Sequence, residues 1–527
     1  MTSSSLELSS QLLVGELLKR ASHQLPDGEA FIYEDKRKTF QQMDDTVTHL
    51  AGWLQKSGVE KEEKVGFMMK NSLPFVEITM GIALSGAVGV PINFRFGSTE
   101  VDYIVNQSDV KLLFIDAEYL DMIQSIKNSL THVEKIIVVD AAGELPQGTL
   151  NYNSIYEKDV TYIPCETLTD DDPCFIMYTS GTTGFPKGAV LTHKNMCQNA
   201  INHIYESNIR RFSSQLICAP QFDIAGMLLT LKTFLLQGKT VLHRDFDPVN
   251  VLTTLEKEKI NTVFLVPAMW NFLFQVPHIG DFDLSSVKVC ATGAAITPLE
   301  VKKRILHYFN HAMLADNFGQ AETTATTTCL TGEDALKKPE SVGKPYLNIE
   351  IRVVDEQMND VPRGEVGEIV YRGPTVMKEY YNDPDATKEA FKGGWFHSGD
   401  LVKMDDEGFI YVVDRKKNMI ISGGENIYPA EIEEVLYQMP EILECAVIGI
   451  IDETWGEAVK AIVVLKPDHH LSEQQIVDYC DTKLASFKKP KVVEFIDELP
   501  RNTSGKVLKY ALEKRSISKV SERTLER

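Results

Sequence analysis

Hydrophobic and polar residues alternate along this 527-residue chain in two rhythms, and the change between them falls near residue 348. From about residue 30 to 350, segments with apolar residues at helical spacing, such as Phe40 to Lys56, are separated by short β-branched runs. The clearest runs are Lys111 to Ile115, Lys135 to Val139, Thr262 to Val266 and Val287 to Ala291. This pattern predicts α/β layers with largely parallel sheets. One long uncharged stretch, Ile78 to Phe94, has 17 residues and is interrupted by Gly81, Gly86, Gly89 and Pro91. It falls short of the ~20 apolar residues a membrane span needs, and reads as a buried helix followed by a strand.

From Asn348 the runs IEIRVVD, GEIVYRG and GFIYVVD are parted by Gly, Pro and Asp turns, which predicts a β-rich subdomain over 347–416. The polar passage after Asp414, RKKNMIISGGENIYP, reads as a linker. Pro429 then suits the first turn of a helix running to about Gln438. Strands are expected at Ala446 to Ile451 and Ala458 to Leu465, and Ser472 with Gln475 has capping-box spacing at the start of a further helix. The expected fold class is therefore α/β. It comprises a large N-terminal domain, 1–416, and a small mobile α+β C-terminal domain, 417–527, joined by a hinge.

Charge narrows the partners. With 54 Lys and Arg against 75 Asp and Glu, the net charge of −21 argues against nucleic acid and against an anionic membrane surface. An anionic substrate must be drawn in locally by backbone amides, a metal ion or a basic patch. The eight cysteines form no CxxC pair, and the N-terminus has no basic n-region, so a cytoplasmic, reducing location is expected. Residues 483–527 hold twelve Lys and Arg against six Asp and Glu, either a solvated C-terminal helix or a patch that assists a phosphate. Both a monomer and a homodimer stay open.

The most informative segment runs from Tyr178 to Gly188, YTSGTTGFPKG, after the strand-like Cys174 to Tyr178. Small hydroxyl and glycine residues let consecutive N–H groups converge on phosphate oxygens, and Lys187 adds charge. It fails the Walker A spacing, because Phe185 follows the second glycine. By composition alone, a phosphate loop and a flexible surface turn stand about level. At Pro220-Gln-Phe222-Asp223, the acidic residue reads either as a partner for a substrate ammonium or as the N-cap of a helix from Ile224.

The loop resembles the signature of the acyl-adenylate-forming superfamily, which contains acyl- and aryl-CoA synthetases, peptide-synthetase adenylation domains and luciferases. Further segments resemble its other motifs in order over about residues 30 to 510: Gly293-Ala294-Ala295, Asp316 to Glu322 (DNFGQAE), Trp395 to Asp400 (WFHSGD), Asp414 to Lys417 (DRKK), Gly423 to Pro429 (GGENIYP) and Leu499 to Lys506 (LPRNTSGK). The resemblance implies an ATP-dependent, AMP-forming ligase using ATP, Mg²⁺ and coenzyme A. Its substrate is then a fatty or aryl carboxylic acid; the alternative is an enzyme loading an amino-bearing or aryl acid onto a carrier protein's phosphopantetheine.

The resemblance also assigns residues. Thr179, Ser180, Gly181, Thr182, Thr183, Gly184 and Lys187 hold phosphates; Gly293, Ala294, Asp316, Asn317, Phe318, Gly319, Ala321, Asp400 and Arg415 complete the ATP/AMP site; Glu322 holds the metal. Phe318 and Ala321 replace the family's Tyr and Thr, which keeps an aromatic face for adenine and removes a hydroxyl from the α-phosphate. Phe222, Asp223, Gly293 and Ala295 border the acyl pocket. Lys417 is the hinge, Gly423 and Gly424 line the pantetheine path, and Lys506 is the catalytic lysine. His193 and His397 read as structural, since a carboxylate substrate needs no general base.

Overall fold

The computed structural model describes residues 10–157, 159–179, 186–452, 454–501 and 507–516. Helix Phe40–Lys56 forms over the expected residues, entered through a capping box between Thr39 and Gln42. The uncharged stretch lies in helix Leu73–Ser85 and strand Val88–Pro91. Ser72 accepts a hydrogen bond from Phe75 N at the start of that helix, and Gly86 ends it at φ +85°, a conformation glycine reaches without steric cost. Among the described residues no helix is long and apolar enough to cross a membrane.

Contacts divide the chain into two compact units, one made of residues up to Ile351 with Tyr371–Phe396, the other of Arg352–Val370 with His397 onward. The first unit contains a nine-stranded and an eight-stranded sheet. Their central strands are parallel, as expected, and antiparallel strands lie at the edges; Thr328–Thr331 follows Met313–Phe318 in one sheet, and Lys187–Thr192 follows Pro173–Thr179 in the other.

In the second unit, Phe396–Met404 and Ile410–Arg415 pair within a four-stranded sheet. Beyond Arg415 the passage read as a linker is ordered secondary structure. Strands Ile420–Ser422 and Glu425–Ile427 form a hairpin, because Gly423 and Gly424, both at positive φ, supply a two-residue turn. Long strands Ile442–Asp452 and Gly456–Leu465 then sort their side chains by alternation. Val447, Ala461 and Val463 pack with Ile432, Leu436 and Ile476 of the helices, whereas Ala446, Ile448 and Ile462 pack with Leu499 and Leu512. Being covered on both faces explains why these strands read as continuous apolar runs.

One buried group stands out in the first unit. Lys232, in helix Ile224–Leu236, is fully buried, with its Nζ 3.4 Å from His203 Nδ1 and no carboxylate in ion-pair range among the described residues. Burial pushes the Lys232 amine down to about 7 and holds His203 well below its usual value. The unfolded lysine keeps its proton up to its ordinary pKa near 10.5, so between pH 7 and about 10.5 the unfolded chain binds more protons and stability rises with pH. Lys232→Met should therefore raise stability at pH 7 by about 2 kcal/mol. Denaturant unfolding of both proteins at pH 7 and 9.5 should show the advantage shrinking at the higher pH.

Candidate active site

Strand register builds the end of the site where phosphates are expected. Thr179 lies opposite Lys187 at the last rung of the antiparallel pair Pro173–Thr179 and Lys187–Thr192, so the two ends of the signature loop are held together. Ser180, Gly181, Thr182, Thr183 and Gly184, like Lys506, lie outside the described residues. On the far side of Lys187–Thr192, strand Glu379–Tyr380 pairs antiparallel and sets Tyr380 opposite Ala189. Because side chains alternate along a strand, Thr179, Lys187 and Tyr380 share one face.

Glu322 meets them. It sits in the 3₁₀ turn Ala321–Thr323 that follows strand Met313–Phe318, where Ala321 contributes no side-chain donor. Thr179 Oγ1 and Tyr380 OH each donate to Glu322 Oε1 at 3.1 Å. Oε2 has no protein partner among the described residues, nor does any cation pair with this carboxylate. One fixed carboxylate with a free oxygen fits Mg²⁺, which is bound through one or two carboxylates plus substrate phosphates. Among the described residues no cluster of three or more His, Cys, Asp or Glu offers an all-protein metal cage.

The side where the nucleoside is expected rests on a close strand contact. Gly293 and Asn317 are partners in the parallel pair Val289–Gly293 and Met313–Phe318. Gly293 has φ +154°, and a Cβ there would lie 2.5 Å from Asn317 O. Ala294 adopts φ +64°, and both Ala294 and Ala295 are exposed on the loop that follows. Asn317 uses its side chain internally: Nδ2 donates to Thr292 O at 3.3 Å and Oδ1 accepts from Tyr346 OH at 2.6 Å. Asp316 does likewise, ion-paired with buried Lys302 at 2.8 Å and accepting from Thr297 at 3.2 Å. Burial raises its pKa against the pull of Lys302. The partly exposed Phe318 and Gly319, which follow at the strand end, remain to face a ligand.

At the predicted acyl end, Phe222 is buried and meets Phe94 edge-on, with centroids 5.2 Å apart. Asp223 occupies the N-cap position of helix Ile224–Leu236, yet its side chain makes no cap hydrogen bond. The residue is exposed overall, in surroundings dense enough to push its carboxyl pKa up to about 6, partly offset by Arg95. The capping reading thus explains its position and leaves its side chain uncommitted.

In the second unit, Asp400 and Arg415 face each other across an antiparallel pair, with Asp400 Oδ1 2.6 Å from Arg415 Nε. Beside them Glu368 Oε2 lies 3.1 Å from both His397 Nδ1 and Lys416 Nζ, and Oε1 accepts from Gly399 N at 3.1 Å. Asp414 accepts from Asn418 Nδ2 at 3.1 Å and from Ala430 N at 2.8 Å, contacts that flank Lys417 on both sides in sequence. Gly423 approaches Trp455, whose ring would lie 2.6 Å from an added Cβ, while Gly424 faces open space.

Residues 18–381 match the AMP-binding enzyme family, and residues 431–506 match the AMP-binding enzyme C-terminal domain. The chain belongs to this family. It falls in the acyl- and aryl-CoA synthetase branch and is an AMP-forming acid–thiol ligase. It is 35% identical over 500 residues to a feruloyl-CoA synthase of Amycolatopsis sp, covering 94% of this chain and 97% of the relative. It is 36% identical over 509 residues to the long-chain-fatty-acid–CoA ligase FadD13 of Mycobacterium tuberculosis, covering 95% and 97%. Among solved structures, the o-succinylbenzoate CoA synthetase of Bacillus subtilis in complex with its acyl-adenylate superposes with a TM-score of 0.83 at 29% identity, covering 94% of this chain and 98% of that one.

Sequence reading of this AMP-binding enzyme missed Tyr380 and Glu368. Glu368 lies in GEIVYRG, which reads only as a strand; Tyr380 sits in the plain run KEYYND, and only the sheet register brings it to Glu322. Gly293→Ala should test how tightly the nucleoside side is built. The added Cβ meets a backbone oxygen, so a loss of about 1–3 kcal/mol in unfolding free energy is expected, together with weaker AMP binding in calorimetry.

Proposed function

We propose that this enzyme is an ATP-dependent acid–CoA ligase acting on a fatty or aryl carboxylic acid. The observation that carries this reading is the Thr179–Lys187–Glu322–Tyr380 cluster, which sets a lysine ammonium and a metal-type carboxylate at the mouth of the signature loop. An acid is inert toward a thiol until its oxygen carries a better leaving group. Attack of a carboxylate oxygen on the α-phosphorus of ATP forms the C–O–P anhydride and breaks the bond from the α-phosphorus to the bridging oxygen of pyrophosphate. Thiol attack on the acyl carbon then expels AMP.

Such displacements need positioning and charge neutralisation above all. Thr179, Lys187 and the loop between them would hold the β- and γ-phosphates. Glu322 Oε2 would hold Mg²⁺, which when bound neutralises phosphate charge. Phe318 would stack on adenine, and Asp400, oriented by Arg415, would accept from the ribose hydroxyls. Lys506 would stabilise charge at the α-phosphate in the first step, with rotation about Lys417 exchanging it for the Gly423–Gly424 turn in the second. CoA as acceptor is supported by relatives that match over nearly their whole length. It is also supported by exposed Trp455 and Phe487, whose ring centroids lie 5.7 Å from Lys491 Nζ and Lys488 Nζ respectively and which offer aromatic surface to a nucleotide.

Asp223 favours a second reading, an amino-bearing or aryl acid, with a carrier protein's phosphopantetheine as the alternative acceptor. ATP–pyrophosphate exchange over a panel of acids, followed by addition of CoA, separates them. The first reading predicts exchange with fatty or aryl acids and consumption of CoA; exchange without thioester formation on CoA contradicts it. Lys506→Ala should cut exchange by ~10²–10³ while a supplied acyl-adenylate still reacts with CoA. If an ammonium-bearing acid is the substrate, its KM should fall as pH rises through about 6, where Asp223 ionises, and Asp223→Ala should abolish that pH dependence.

A further inference from the structure

Tyr380 touches both charges of the phosphate end at once. Its hydroxyl donates to Glu322 Oε1 at 3.1 Å, and Lys187 Nζ lies 5.4 Å from the centroid of its ring. The residue is anchored for this task. Tyr380 N donates to Thr387 Oγ1 at 2.9 Å, Tyr381 N donates to Gly188 O at 2.7 Å, and Met377 N donates to Glu322 O at 2.7 Å. The segment 377–381 is thus strapped at one end to the residue that carries the carboxylate and at the other to the strand that carries the lysine.

This arrangement addresses a problem that follows from the site's own chemistry. A lysine and a glutamate placed side by side attract each other, and a direct ion pair would use the oxygen meant for a cation and the ammonium meant for a phosphate. Among the described residues no such pair forms between Lys187 and Glu322. A phenol resolves the conflict because its hydroxyl is a donor suited to the carboxylate, while its ring face is a weak electrostatic seat suited to the ammonium. Cation–π attraction is strong enough to place Lys187 and weak enough to release it to a phosphate.

We infer that Tyr380 is a positioning residue that holds Glu322 and Lys187 apart, leaving Glu322 Oε2 for the metal and Lys187 for a phosphate. This rests on the reading of Glu322 as the metal carboxylate. Mn²⁺ binding to the full-length enzyme with ATP and no acid, followed by electron paramagnetic resonance, tests it without turnover. Tyr380→Phe keeps the ring and removes the donor, and should weaken Mn²⁺ binding about tenfold, as loss of an outer partner of a metal ligand does. Tyr380→Leu also removes the ring, and should raise the KM for pyrophosphate in the reverse reaction beyond the value in Tyr380→Phe; equal values in the two variants would overturn the role of the ring.

Glu322→Gln should weaken Mn²⁺ binding by itself, and Tyr380→Phe should add nothing in that background, because both changes act through one carboxylate. Wild-type Mn²⁺ affinity in Tyr380→Phe, or full additivity with Glu322→Gln, would overturn the positioning role while leaving Glu322 as the metal residue. Unchanged Mn²⁺ affinity in Glu322→Gln would overturn the metal assignment and this inference with it.

Discussion

In the proposed site two opposite charges have to stand close together without neutralising each other, and this constraint shapes the end assigned to phosphate. On a chain with net charge −21, positive potential must be concentrated locally if a polyphosphate is to be held. As proposed, Lys187 would provide it at the end of a strand pair, and Glu322 stands within reach of the same aromatic side chain. Two neutral hydroxyls, from Thr179 and Tyr380, hold the carboxylate in place. In the proposed reading the site would thus accept both a cation and an anion.

The same economy governs the nucleoside side, where polar residues of a recognisable motif divide into those that build and those that are left to bind. Asp316 is taken up by buried Lys302, and Asn317 by Thr292 and Tyr346, so the strand tips beside Gly293 are fixed by internal contacts. An unpaired buried carboxylate would be costly, and Lys302 offsets that cost. Glycine at 293 lets the two strand ends approach at a distance no side chain allows. In the proposed function the chemistry would fall to Phe318, Glu322 and the loop after Thr179.

Much of this was legible in the chain. Helix Phe40–Lys56 and strand Lys135–Val139 have the expected boundaries, because their patterning and capping signals are local. The passage after Asp414 was not, since a polar Gly-rich run reads the same whether it is a tether or a tight hairpin. Asp223 shows a finer limit: its N-cap position follows from local sequence, but the absence of a cap bond depends on what surrounds it. Tyr380 could not be found by pattern at all. Its place beside Glu322 arises from pairing between residues nearly two hundred apart, and nothing in its neighbourhood signals a ligand.

The central claim is that an acid oxygen becomes bonded to the α-phosphorus of ATP. Turnover of a substrate acid carrying ¹⁸O in both carboxylate oxygens, with mass analysis of the nucleotide released, tests it directly. The account predicts AMP containing one ¹⁸O atom per molecule and unlabelled pyrophosphate. Release of ADP, or ¹⁸O recovered in inorganic phosphate, would place the attack at the γ-phosphorus and contradict it.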